Sequence, residues 1–376
     1  MERMDKKERF QAVREKRAPD YMPVYSRVTG QMIYGAGLMM PDITGQDWYD
    51  SEKITQAVLS SIKDIGYDIA IPAYLDCGSL GLPPLGGSLN VPDRFGVAVT
   101  PSDDKPVKAK ADWPRVKKML AQFDVKKTDP RMKGALEVIK NVSMEVGDEV
   151  PLVAVAGVGT QTAMFLFRSP EAFLNDMLED PEWVDEMCHV ATNWVINWIR
   201  AQYEAGANSV ASISEGIASA MVSPKMCERF NLENMARVVE TVKKEFNQGT
   251  WLHLHGNMTT PKAYKYLTKL VKNAGVEGFH LDELNPPDWI KENVVDKLGV
   301  SACIVTHGGT IVNGPVEKIE EEVRTQISMS GDGLGIMMSA SCEVLPATSN
   351  EYFKAWVDAT HKYGKYPLNH KKGDKN

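Results

Sequence analysis

Four of the seven histidines fall at or near the ends of short apolar runs. His253 and His255 stand in Trp251-Leu-His-Leu-His-Gly-Asn257, His280 in Phe279-His-Leu-Asp-Glu283 and His307 in Val305-Thr-His-Gly-Gly309. Cys342 follows the next such run, in Met338-Ser-Ala-Ser-Cys-Glu-Val344. Residues two apart on a strand point to the same side, so His253 and His255 are a candidate ligand pair. With the Cys342 thiolate they offer two nitrogens and one sulfur, a set suited to zinc with one position left open. His-x-His is a weak pattern by itself, since strand-end histidines are more often hydrogen-bonded packing residues. The reading rests on convergence of several such groups. His280 and His307 are further candidates, as extra ligands, orienters of ligands or substrate-binding groups. Glu215, in Ser212-Ile-Ser-Glu-Gly216, and Asp282 or Glu283 could move protons or orient ligands, with plain hydrogen bonding as the alternative.

These groups need strands to carry them. Near-continuous apolar runs cover Tyr67–Tyr74, Pro151–Val158, Ser209–Ser214, Thr250–His255, Gly278–Leu281, Ser301–Thr306 and Gly333–Ser339. Such runs predict strands buried on both faces, as in a parallel sheet covered by helices. The segments between them carry helix signals. Ser169-Pro-Glu171 and Asp180-Pro-Glu182 each supply a cap, a first-turn proline and a favourable acidic charge. Trp183, Met187, Ala191, Trp194, Val195 and Trp198 then form an amphipathic stripe that Gly206 is placed to end. His189, beside Asp185 and Asn193, falls on the polar face. At least seven strands alternating with helices predict an α/β fold, a (β/α)8 TIM barrel, whose C-terminal strand ends converge on one mouth. Residues 1–45 read as an N-terminal helical extension, 46–368 as the barrel and 369–376 as a flexible tail. Residues 78–104, rich in Gly and Pro, read as a long functional loop.

Composition narrows the partners. A net charge of -7 disfavours a nucleic-acid backbone as partner. Five scattered cysteines without a CxxC pair predict a reduced, cytoplasmic protein. Cys77, Cys188, Cys227 and Cys303 read as small core residues. The charged N-terminus has no apolar signal-peptide core, and no apolar run reaches the length of a membrane span. Oligomeric state stays open, a homodimer included.

Several segments together resemble the uroporphyrinogen decarboxylase superfamily, most closely its methylcobamide:coenzyme M methyltransferase branch. They include Lys6-Lys-Glu-Arg-Phe10, Pro19-Asp-Tyr-Met-Pro-Val24, Tyr67-Asp-Ile-Ala70, Ser169-Pro-Glu-Ala-Phe173 and Glu204-Ala-Gly-Ala207. The most specific match is Ser341-Cys-Glu-Val-Leu-Pro-Ala-Thr348. In that branch a His-x-Cys-Gly motif and a distant cysteine bind catalytic zinc. The resemblance assigns His253 and Cys342 to two of these positions, and His255 stands where the branch has its first cysteine. It implies methyl transfer between a small methylated substrate or thiol and the cobalt of a corrinoid. The sequence has no Asp-x-His-x-x-Gly corrinoid pattern, so the corrinoid is expected on a partner protein. The arginine-rich Arg-Gln-Ala-Gly-Arg stretch of true uroporphyrinogen decarboxylases is replaced by Ser26-Arg-Val-Thr-Gly-Gln31, and Asp76 lies near their essential aspartate. The rival readings are a decarboxylase of an acidic substrate, a non-catalytic corrinoid or metal-binding module, and a zinc hydrolase.

Overall fold

The computed structural model describes residues 3–25, 27–74, 80–92, 104–215 and 221–368. The expected flexible tail, Asp76, Cys77 and residues 78–79 and 93–103 of the loop 78–104 lie outside the described residues.

Six parallel strands form one sheet in sequence order: β1 (Ala154–Gly157), β2 (Ala211–Ser214), β3 (Thr250–Leu254), β4 (Gly278–Leu281), β5 (Ser301–Thr306) and β6 (Ile336–Ala340). Every strand residue is buried, which accounts for runs that do not alternate. Helices lead from each strand back to the next, among them Pro224–Phe246 between β2 and β3 and Pro261–Lys269 between β3 and β4. From β6 the wall continues through two segments that make single bridges: Val24 with Met338, Tyr25 with Ile69, and Ala70 with Leu152. The architecture is a (β/α)8-type barrel with eight wall positions, six of them regular strands among the described residues. Among the described residues, no helix is long and apolar enough to cross a membrane.

The strand predicted over Tyr67–Tyr74 is therefore corrected to isolated bridges. Val153 N donates to Ala70 O at 3.0 Å, and the ladder's next donor would be residue 72. That residue is Pro72, which has no N–H to give. Gln202 takes over, its side-chain amide accepting from Val155 N (2.9 Å) and donating to Val155 O (2.8 Å). β6 likewise starts later than its apolar run, at Ile336, because Gly333 and Gly335 turn the chain with φ of 68° and 77°.

Helix signals translate directly. Ser169 and Asp180 accept from the backbone N–H groups of Ala172 and Trp183. The helix Pro181–Ala205 buries its whole predicted stripe and ends at Gly206, φ 123°. His189 is on its solvent side, with Nδ1 3.2 Å from Arg237. The N-terminal segment carries the expected helix, Lys6–Arg14, with a reciprocal Asp5–Glu8 cap. Phe10 of that helix lies 5.9 Å from the Trp251 ring at the N-terminal end of β3 and helps close the barrel floor. The same segment then contributes Val24 and Tyr25 to the wall.

Candidate metal centre

Register sets the site. Ser214, His253, His280, Cys303 and Met337 are successive partners across β2 to β6 and so share one face. That face is the barrel interior. Tyr25 donates from its hydroxyl to Ser212 Oγ (2.8 Å), and the Arg27 guanidinium donates to Ser212 Oγ (3.1 Å) and Ser214 Oγ (2.7 Å).

β3 ends after Leu254, and Gly256 turns the chain with φ 107°, a conformation that favours glycine. The turn lets Gly256 N donate to Asp282 Oδ2 at 2.7 Å. The same carboxylate oxygen lies 3.4 Å from His255 Nδ1, which aims the other ring nitrogen inward. His253 Nε2 and His255 Nε2 are 2.9 Å apart, and Cys342 Sγ is 3.6 Å from each. Tetrahedral zinc, with its usual bond lengths, holds nitrogen and sulfur about 3.6 Å apart and two nitrogens about 3.3 Å apart. The three donor atoms, all within 4.8 Å of one another, thus fit a single ion.

The charges suit the same use. Burial drives the His253 pKa well below the ordinary value, and Arg27 adds to the effect, so the ring is a neutral donor. His255 is pushed up to about 10 by its bond to Asp282 and by the Cys342 sulfur. Burial raises the Cys342 thiol, but the bond to His255 and the Arg27 charge outweigh it and hold the thiol below its ordinary value. A proton thus rests between imidazole and thiolate where a cation would displace it.

The other predicted residues are placed differently. His280 lies below the triad, with Nε2 2.7 Å from Ala340 O and its ring stacked on His253 at 4.6 Å. Burial takes its pKa down to about 3. His307 is exposed on the rim, where Nδ1 accepts from Gly309 N (3.0 Å) and Nε2 lies 3.6 Å from Glu283. Among the described residues neither histidine joins the three-donor cluster. Glu215 donates its backbone N–H to His253 O (3.1 Å), yet its carboxyl turns outward to the helix layer. There it accepts from Tyr266 Oη and Asn231 Nδ2. Burial raises it to about 8 despite those two donors. The sequence reading missed Arg27, which is buried in the interior. Its one signal is parity with Tyr25, two residues earlier on the same wall segment.

A methylcobamide:CoM methyltransferase from Methanosarcina barkeri is 24% identical over 234 residues, 62% of this chain and 64% of its own length. A uroporphyrinogen decarboxylase from Pseudoalteromonas atlantica is 23% identical over 286 residues, 73% of this chain and 76% of its own. Among solved structures, a methyltransferase from Methanosarcina mazei shares the fold with a TM-score of 0.76 at 20% identity, covering 96% of this chain and 99% of that one. The family described as uroporphyrinogen decarboxylase (URO-D) matches residues 5–363, and the protein belongs to that family.

Proposed function

We propose that the protein is a corrinoid-dependent methyltransferase, in which His253, His255 and Cys342 hold zinc and the corrinoid arrives on a separate protein. The observation that carries this reading is the meeting of three donor atoms from two strand ends 87 and 89 residues apart in sequence. The methyltransferase among its relatives points the same way. Zinc held by three protein ligands supplies a Lewis acid with one open position.

The donor set bears on the substrate. Two neutral imidazoles and one thiolate leave a formal charge of about +1, against about 0 for one imidazole and two thiolates. That favours an oxygen-bound substrate over a thiol. Arg27 adds a buried positive charge to the same interior and favours negative charge developing on a leaving oxygen. The reading therefore takes a methoxylated compound as methyl donor. The carbon–oxygen bond would break, with the methyl group taken up by the reduced corrinoid of the carrier as second substrate. The substrate oxygen keeps the bonding pair and takes up one proton. Asp282 orients His255 throughout, and the exposed side chains of Leu284 and Leu345, on the loops after β4 and β6, offer apolar surface to a docking carrier.

The test is metal content and methyl transfer together. Purified protein is expected to hold about one zinc per chain, and His253→Ala and Cys342→Ala to lose it. Methoxylated compounds and thiols, offered with the reduced or methylated corrinoid protein, are followed by the cobalt spectrum. Metal retained in both variants would sink the ligand set. Decarboxylation of an acidic tetrapyrrole by metal-free protein would replace the reading, and carrier binding without transfer would reduce it to a binding module.

A further inference from the structure

We infer that His280 is a positioning residue: one imidazole clamps the strand end carrying Cys342 against the histidine pair. The consequence for metal binding rests on the zinc reading above; the clamp itself does not.

The Ala340 carbonyl can only accept, so His280 Nε2 carries the hydrogen of the 2.7 Å bond. The ring is buried, and that Nε2 hydrogen is committed to the carbonyl. Nδ1 is buried and has no hydrogen-bond partner among the described residues. In the sheet, β5 lies between β4 and β6, so the bond crosses the barrel interior and skips a strand. Its target stands two residues before Cys342. Two backbone N–H groups of the same stretch are also tied: Ser341 N donates to Thr306 O (3.0 Å) and Val344 N to Arg27 O (2.8 Å). These tie it to β5 and to the entry segment. His280 ties it to β4, the neighbour of the strand that carries His253. The same ring lies 4.6 Å from the His253 ring at 27° between planes. A single side chain therefore touches the His253 ring and the strand end that leads to Cys342, which explains a buried histidine where an apolar residue would pack.

His280→Phe keeps a flat ring and removes the donor; His280→Gln restores an N–H donor at similar reach. In metal-free protein, labelling of Cys342 by a soluble thiol reagent, read by peptide mass spectrometry, is expected to quicken in the Phe variant by several-fold to about tenfold. The Gln variant is expected to return most of the way. In the same series zinc affinity, measured by competition with a coloured chelator, should fall about 10- to 100-fold for Phe. The thiolate-to-metal band of the cobalt(II)-substituted protein should shift with it. Should the Phe variant not fold, His280→Asn, too short to reach Ala340, takes its place. Labelling of Cys342 at the parent rate in the donor-less variant overturns the clamp. If the parent binds no zinc, the functional reading fails, and the labelling comparison still decides the clamp.

Discussion

The floor and the mouth of the barrel each gather histidine and aspartate from segments far apart in sequence, but only the floor is closed. On the floor, Asp68 accepts from Arg9 Nη1 (2.8 Å) and Tyr21 Oη (3.2 Å) on one oxygen, and from Val24 N (2.9 Å) on the other, which also lies 2.8 Å from His361 Nε2. Arg9 also donates from Nε to Asp20 (2.7 Å) and from Nη2 to Met4 O (2.7 Å). Opposite charges are matched and donors meet acceptors. At the mouth, two imidazole nitrogens face each other at 2.9 Å beside a thiol, and among the described residues Nδ1 of both His253 and His280 has no hydrogen-bond partner. These three donors converge on one point, where a cation would displace the proton held between His255 and Cys342. The floor is built for stability and the mouth for a ligand, in keeping with the division of labour in such barrels.

Breaking the floor should cost the most stability. Asp68→Ala leaves the buried Arg9 charge undercompensated and is expected to destabilise by about 3–5 kcal/mol, near the lower end because Asp20 remains. Urea unfolding measures it, and a loss under about 1 kcal/mol would make the two ends alike. The pH dependence follows. Burial pushes the Asp68 carboxyl up, but His361 and Arg9 outweigh it and hold the pKa below the ordinary 3.8. A depressed carboxylate contributes stability that is present above 3.8 and lost as pH falls through its folded value. Asp68→Ala should therefore flatten the acid limb of the stability curve.

At the mouth, Asp282→Asn removes the charge that orients His255. Zinc affinity is expected to drop about 10- to 100-fold, read by chelator competition, with the fold intact. An unchanged affinity would leave Asp282 as a mere turn anchor for Gly256.

Glu215→Gln probes the helix layer behind the mouth. A folded pKa of about 8 against an ordinary 4.5 means a contribution that is whole below 4.5 and lost as pH rises toward 8. The Gln variant should lose this alkaline sensitivity in unfolding titrations at pH 6 and 9. It should retain methyl transfer, and loss of transfer with stability unchanged would return Glu215 to the chemistry. The smallest effect is expected from Cys342→Ala in metal-free protein, whose stability should stay within about 1 kcal/mol of the parent. A larger loss would mean that Cys342 is part of the packing.

Much of this was legible. The strand-end positions of His253, His255 and Cys342 followed from apolar runs, and parity put the two histidines on one side. The helix caps at Ser169 and Asp180 were local signals and held. Pro72 was a legible strand breaker, since it removes a ladder donor from Tyr67–Tyr74. The outward turn of the Glu215 carboxyl was not legible, because ending a strand says nothing of which face a residue takes. Ser212 and Ser214 face inward, so the next residue turns out. Arg27 was passed over because a lone arginine in a polar stretch looks solvated until the opposite wall is placed.

The sequence alone determined the alternation of strand and helix, the helix ends and the residue types near the mouth, because these depend on neighbours a few positions away. Tertiary structure decided which of those residues meet. Closure of the wall brings Cys342 within 3.6 Å of two imidazoles, drops His280 below them and leaves His307 on the rim. Such distances depend on register and twist accumulated over a whole circuit of the barrel, and no local pattern encodes that sum.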